Sequence, residues 1–318
     1  MKDLKVIFMG TPDFAVPILE ALIEKCNVKL VVSQPDRLKD RKGNILPTPC
    51  KEVALKNNIE VYQPLKIKEE YDKIINTEAD IIITCAYGQI IPDIILNKPR
   101  LGCINVHGSL LPKYRGGAPI HWAIINGEKE TGITIMYMDS KMDNGDIISQ
   151  KSITIEDNDN LDSLYAKMSL LGRDLLIETL PSIIEGKNNR TKQDEKLVTY
   201  GLNIKKEEEK IDFNNKAENI NNLIRGLTSI PGAYCFLEDK RLKIYKAIIL
   251  DKKSNNQPGK IVDIDKEGII VNTKDYMIKI LDIKLEGKSR CNVKDFINGI
   301  KKEELIGKVL KWNLERKI

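Results

Sequence analysis

The sequence predicts an α/β fold: a mostly parallel sheet with helices on both faces, followed by a small all-β barrel domain. Three observations carry this. Apolar strand-like runs alternate with helical stretches through the first half. A polar, charged stretch from Lys187 to Glu209 then interrupts the pattern. Beyond it, short β-type runs recur between polar turns. At 318 residues the chain exceeds one typical domain, so two separate cores are expected.

Leu4 to Met9 reads as the first strand, Phe14 to Lys25 as a helix and Val28 to Ser33 as a second strand. Ile81 to Cys85, Cys103 to Val106 and Ile133 to Met138 are further buried strands, completing a Rossmann-like pattern. A long helix runs from Leu161 to Glu185, opened by the capping residues Asp159 and Asn160 and closed by Gly186. After a helix over Ala217 to Gly226 come five short strands: Ala233 to Leu237, Leu242 to Leu250, Lys260 to Ile264, Ile269 to Asn272 and Tyr276 to Leu285. They suggest an OB-like barrel, a fold often used to hold nucleic acids, although another small β-barrel matches equally well. The division expected is an α/β domain at 1–188, a linker at 189–206 and a basic barrel domain at 207–318.

Composition narrows the class. Hydrophobic residues at 42% and charged residues at 31% argue against disorder, and no apolar run is long enough to span a bilayer. Met1-Lys2-Asp3-Leu4-Lys5 leads into a short strand without the apolar core of a signal peptide, so a cytoplasmic location is expected. Six scattered cysteines without a CxxC pair, and only two histidines, read as buried thiols with no metal site. Charge is uneven. Residues 201–318 hold 25 Lys+Arg against 18 Asp+Glu, a net +7, which leaves 1–200 at −2. A basic appendage suits a polyanion such as nucleic acid, and it also suits a merely soluble Lys-rich domain.

Three segments are candidates for chemistry. Gly10-Thr11-Pro12 lies where a dinucleotide site would sit, but one glycine followed by proline is not the glycine-rich turn that a pyrophosphate needs. A tight turn is the better reading. In the strand ending at His107, Asn105 and His107 share one face while Ile104 and Val106 share the other. Gly108 permits a sharp exit, placing this polar pair at the C-terminal end of a strand, where open α/β sheets hold their ligands. The third segment, Met138 to Asp146, has acidic residues around a glycine. Its spacing is not that of an EF-hand, and by itself it reads as a solvated turn. A carboxylate from it near His107 would orient an imidazolium.

These residues carry a resemblance. Asn105, His107 and Asp143 match the triad of the folate-dependent formyltransferase superfamily, and Ser109 to Pro119 resembles its signature segment. Phe8 to Ala15, Gln34 to Arg37, Leu46 to Pro49 and Ala86 to Pro92 are similar to the branch acting on methionyl-tRNA. The match is strong over the N-terminal half. In the C-terminal half it rests on length, position, basic balance and Ile230-Pro231-Gly232-Ala233.

The resemblance implies transfer of a formyl group from 10-formyltetrahydrofolate to the amino group of methionyl initiator tRNA, with no metal and no covalent intermediate. Asn105 and protonated His107 would face the developing oxyanion, and Asp143 would sustain the imidazolium. Ser109, Leu110, Leu111 and Pro112 would line the folate site, with Tyr87, Gly88, Gln89 and Ile90 near the pterin. The basic loop from Arg37 to Lys51 would enter the tRNA through Arg37, Arg41 and Lys42; glycines flank the family's arginine at position 41, whereas Asp40 and Lys42 do here. A monomer is expected. Three rivals differ in acceptor or class: a formyltransferase for another amine, such as an amino sugar or glycinamide ribonucleotide; a formylfolate hydrolase; and a noncatalytic tRNA-binding protein. The basic second domain and the Arg41 loop argue against the first, and the joint presence of the triad against the last.

Overall fold

The computed structural model describes residues 1–37, 43–255, 257–299 and 302–313. Two compact units emerge: one of residues 1–119, 130–154 and 165–202, the other of 120–129, 155–164 and 203–318.

In the first unit the strands are β1 (Lys5–Gly10), β2 (Asn27–Val32), β3 (Val61–Tyr62), β4 (Ile81–Cys85), β5 (Cys103–His107), β6 (Glu130–Tyr137) and β7 (Ile147–Thr154), arranged 3-2-1-4-5-6-7. Every pairing from β3 to β5 is parallel, and the last two, β5 with β6 and β6 with β7, are antiparallel. Sheltered positions explain the sequence: five of the six residues of β1 and all five of β4 are buried, so both strands read as unbroken apolar runs. The polar, partly exposed sequence of β7 gives no such signal.

Helices supply the other layers. They are α1 (Val16–Lys25), α2 (Pro49–Lys56), α3 (Asp72–Asn76), α4 (Asp93–Leu96) and, after α5 (Pro119–Ile125), which falls almost wholly in the second unit, α6 (Leu161–Ile184), most of which falls in the first. A 3₁₀ turn over Asp13–Ala15 precedes α1, so the expected single helix begins in two steps, with Pro17 in the first α turn, where its missing N–H costs nothing. At the start of α6 the Asn160 side chain accepts the Ser163 N–H at 3.0 Å, and Gly186 (φ +65°) lies just past its end. Within α6 the absent side chain of Gly172 lets Val106 approach: a Cβ there would stand 3.0 Å from Val106 Cγ1. The apolar face of β5 is thereby packed on α6, leaving Asn105 and His107 on the opposite face.

The second unit contains α7 (Ala217–Gly226), β8 (Ala233–Leu237), β9 (Lys240–Lys253), β10 (Ile261–Ile264), β11 (Ile269–Asn272), β12 (Tyr276–Leu285), β13 (Cys291–Asn292), α8 (Val293–Ile297) and β14 (Leu310–Lys311). Its antiparallel sheet runs β10-β11-β12-β9-β8-β14, with β13 added beside β12. The sheet curls until its edges meet. Lys260 bridges Val309, and the Leu310 N–H donates to the Gly259 carbonyl at 2.8 Å. This contact brings the two ends of the curled sheet together beside a core including Ile244, Ile261, Val271, Ile278 and Ile280. An α/β sheet and a small barrel thus match the predicted class. The helix over 217–226 and the strands at 233–237 and 269–272 fall where the periodicity places them. Of the six cysteines five are buried, and burial pushes the Cys50 and Cys103 thiols up to about 12. No described helix is long and apolar enough to cross a membrane.

Burial also holds the imidazole of His121, on α5, down at about 4 against an ordinary 6.5. Well above pH 6.5 it is neutral in both folded and unfolded chains and contributes no pH dependence. Between 6.5 and 4 the unfolded chain takes up a proton that the folded chain refuses, so stability falls with falling pH. Urea unfolding is expected to show wild type losing about 2 kcal/mol more than His121→Gln between pH 7 and pH 5. Equal losses in both proteins would contradict the burial account.

Candidate active site

The polar face of β5 is built by strand register. Thr84 of β4 lies beside Asn105, and their side chains meet with Thr84 Oγ1 at 2.9 Å from Asn105 Oδ1. A hydroxyl donating to that oxygen directs the amide nitrogen outward, and Nδ2 stands 3.4 Å from Asp143 Oδ1. Two residues on, the His107 ring is 5% exposed. Its Nε2 is 3.0 Å from the Tyr114 carbonyl. A carbonyl can only accept, so Nε2 carries a hydrogen and is committed. The other ring nitrogen, Nδ1, faces Asp143 Oδ1 at 3.7 Å, within ion-pair range and beyond a hydrogen bond. Any donor that His107 offers a reacting group is therefore Nδ1.

Asp143 comes from the loop between β6 and β7. Its backbone has φ +49°, uncommon for a residue with a side chain, and its Oδ2 accepts the Gly116 N–H at 2.8 Å. Gly116 has no room for a side chain, because a Cβ would stand 2.8 Å from the Gly201 carbonyl oxygen. Asn105, His107 and Asp143, expected together from the sequence, do converge on one point at the C-terminal end of β5.

The other expected site residues fall into two groups. In the loop after β5, Ser109 is fully buried and its polar groups are used: the hydroxyl donates to the Lys113 carbonyl at 2.6 Å, and the carbonyl accepts the Thr134 hydroxyl at 2.6 Å. Leu111 is buried too, its N–H on Thr134 Oγ1 (3.1 Å) and its carbonyl accepting Gln150 Nε2 (2.8 Å), while Leu110 and Pro112 are partly exposed. This loop offers a ligand a fixed shape rather than free side-chain donors. In the loop after β4, Tyr87 is buried in an apolar cluster with Ile7, Met9 and Leu30, and burial pushes its phenol up. Its carbonyl accepts Gln34 Nε2 (3.0 Å) and the Thr11 hydroxyl (3.2 Å), so the Gly10-Thr11-Pro12 turn serves as a brace. Gly88 has φ +91° and is exposed, Gln89 accepts the Ile67 N–H at 2.9 Å, and Ile90 is 69% exposed.

Arg37 is exposed, whereas Arg41 and Lys42 lie outside the described residues. The chain leading to Arg37 is fixed by Asp36, which pairs with Lys51 and accepts Gln63 Nε2 (2.8 Å) and the Thr48 N–H (3.1 Å). Burial would raise the Asp36 carboxyl, but the hydrogen bonds from Lys51, Gln63 and Thr48 outweigh it and hold the group below its ordinary value. Sequence reasoning missed the supporting side chains Thr84, Arg115, Thr134, Gln150 and Gln193. Only the adjacency of the two strands could have pointed to Thr84.

Comparison with known proteins adds an independent line. Residues 4–180 match the family described as "Formyl transferase", and 203–301 match "Formyl transferase, C-terminal domain". A methionyl-tRNA formyltransferase of Staphylococcus epidermidis is 50% identical over 309 residues, covering 96% of this chain and 99% of that protein. One from Staphylococcus aureus is 49% identical over the same coverage. Among solved structures, the sugar 3N-formyl transferase WlaRD shares the fold with a TM-score of 0.68 at 23% identity, over 91% of this chain and all of that one. An N-formyltransferase of Helicobacter canadensis does so with a TM-score of 0.64 at 22% identity, over 87% and 98%.

The turn that carries Asp143 is tight at Gly145, where a Cβ would stand only 1.9 Å from the Tyr137 carbonyl oxygen. At Gly186 a Cβ meets nothing within 4 Å, and only its φ of +65° opposes substitution. Gly186→Ala is expected to cost about 1–2 kcal/mol, and Gly145→Ala roughly 3 kcal/mol or more. Urea unfolding compares them, and equal costs would mean that the close approach at Gly145 is absent.

Proposed function

The chain belongs to the formyl transferase family, and from that premise we propose that it transfers the formyl group of 10-formyltetrahydrofolate to the amino group of methionyl initiator tRNA. The observation that carries the reading is the meeting of Asn105 Nδ2 and His107 Nδ1 around Asp143 Oδ1, at the strand end where an α/β sheet holds its ligand. Acyl transfer needs donors aimed at an oxygen that becomes negative; Asn105 Nδ2 is one, and His107 Nδ1 is a second once the ring is protonated beside the Asp143 carboxylate.

In the proposed reaction the methionyl amine attacks the formyl carbon, forming a C–N bond and a tetrahedral oxyanion. Asn105 Nδ2 and a protonated His107 Nδ1 face that oxygen. Asp143 stabilises the charged ring and, through water, carries the amine's proton toward folate N10. Collapse breaks the bond from carbon to N10, which leaves with the proton, so formyl-methionyl-tRNA and tetrahydrofolate result. Ser109, Leu110, Leu111 and Pro112 form one wall of the folate site, and Tyr87, Gly88, Gln89 and Ile90 border the pterin.

Residues 1–188 are the catalytic domain in this reading, 189–206 the connection and 207–318 the tRNA-binding domain, whose net positive charge suits a phosphate backbone. The exposed Arg37 supplies a cationic contact to the acceptor stem, and Arg41 and Lys42 take the same part as the resemblance to the family implies. The protein works as a cytoplasmic monomer.

Incubation with 10-formyltetrahydrofolate and methionine-charged initiator or elongator tRNA tests donor, acceptor and selectivity together. Formylated initiator tRNA is the expected product. Asn105→Ala or His107→Ala should lower kcat/KM by about 10²–10³-fold in protein that still unfolds cooperatively at a temperature well above that of the assay. Near-normal turnover in either variant would overturn the assigned chemistry. Formate release without tRNA, and no transfer with it, would mark a hydrolase.

A further inference from the structure

We infer that Gln193 is a positioning residue for this reaction, acting through Asp143. The inference rests on the reading of Asp143 given above. Among the described residues, the Gln193 side chain makes three hydrogen bonds, and all go to the frame that holds this carboxylate. Its Nε2 donates to the carbonyls of Asp143 (2.8 Å) and Gly145 (2.9 Å), so one amide spans the turn. Its Oε1 accepts the Nε–H of Arg115 at 3.0 Å. Arg115, only 3% exposed, immediately precedes Gly116, whose N–H holds Asp143 Oδ2. A closed ring results, running from the Asp143 carboxylate through Gly116 and Arg115 to Gln193 and back to the Asp143 backbone.

Two features make such a ring necessary. A residue with a side chain at φ +49° keeps that conformation only where its surroundings over-determine it. Moreover, the 3.7 Å from Asp143 Oδ1 to His107 Nδ1 is beyond a hydrogen bond, so the imidazole does not by itself fix the direction of the carboxylate. Asn105 Nδ2 adds only a long contact of 3.4 Å to Oδ1, whereas the short bonds come from behind, from the Gly116 N–H to the carboxylate (2.8 Å) and from Gln193 Nε2 to the Asp143 carbonyl (2.8 Å). Gln193 is itself placed by the chain: Thr191 pairs with Ile147 through two backbone hydrogen bonds of 2.8 and 2.9 Å, next to the turn. Arg115 has a second partner in Glu195, at 2.9 Å. Losing the Gln193 side chain therefore leaves the guanidinium paired and releases the turn, which separates positioning from folding.

The test is a double-mutant cycle in the full-length protein, with wild type, Gln193→Leu, Asp143→Asn and the double variant. The readouts are kcat at saturating 10-formyltetrahydrofolate and methionyl-tRNA, KM for the folate and the unfolding midpoint. Gln193→Leu is expected to lower kcat about tenfold or more, with KM for the folate changed less than about twofold. In the Asp143→Asn background the same substitution is expected to change kcat by less than about twofold. An unchanged kcat in Gln193→Leu, or an equal loss in both backgrounds, overturns the inference. Full turnover in Asp143→Asn alone would instead remove the role assigned to Asp143, and the inference with it; that arm is read without reference to Gln193. A crystal structure of Gln193→Leu supplies a reading independent of residual activity. There the Asp143 carboxylate is expected to leave the Gly116 N–H, and an unmoved carboxylate overturns the inference.

Discussion

The carboxylate of Asp143 is held on a left-handed turn by the Gly116 N–H at 2.8 Å, and the polar face of β5 is organised around that fixed charge. Asn105 turns its Nδ2 toward the carboxylate because Thr84 takes the amide oxygen, and His107 turns its Nδ1 because the Tyr114 carbonyl takes Nε2. Each donor is oriented by a partner outside the reacting space, so little reorganisation is needed when a charge develops between them. The fold serves this arrangement through β5, whose apolar face is pressed on α6 close to Gly172 while its polar face ends at the C-terminal edge of the parallel strands, where open α/β sheets hold their ligands.

Much of this was legible in the sequence for a simple physical reason: a strand alternates its faces. Asn105 and His107 could be put side by side from spacing alone, and buried strands such as β4 announce themselves by uniform apolarity. The helix over 217–226 and the barrel strands emerged from periodicity and from the turns between them. Asp143 was different. Its turn gives no periodic signal, and only the resemblance to formyltransferases singled it out from the other acidic residues of that loop.

What stayed illegible is what acts through the backbone. Gln193 reaches its place by bonding to two carbonyls, and such contacts leave no pattern in side-chain chemistry, so its surroundings read as an undistinguished polar stretch. The strand β7 escaped because its partly exposed, polar sequence lacks the apolar run of a buried strand. The antiparallel pairing of β5 with β6 was likewise invisible, since buried strands are equally apolar in either direction. Arg41 and Lys42 lie outside the described residues, so their expected part in tRNA contact rests on the resemblance.

The central claim is spatial, that the formyl carbon is bound where Asn105 and His107 aim their donors. A crystal structure of the protein with a stable formylated tetrahydrofolate measures this directly. The formyl group is expected within about 3.5 Å of Asn105 Nδ2 and His107 Nδ1, with the folate lying along Ser109 to Pro112. A folate bound with its formyl group remote from β5 would contradict the account.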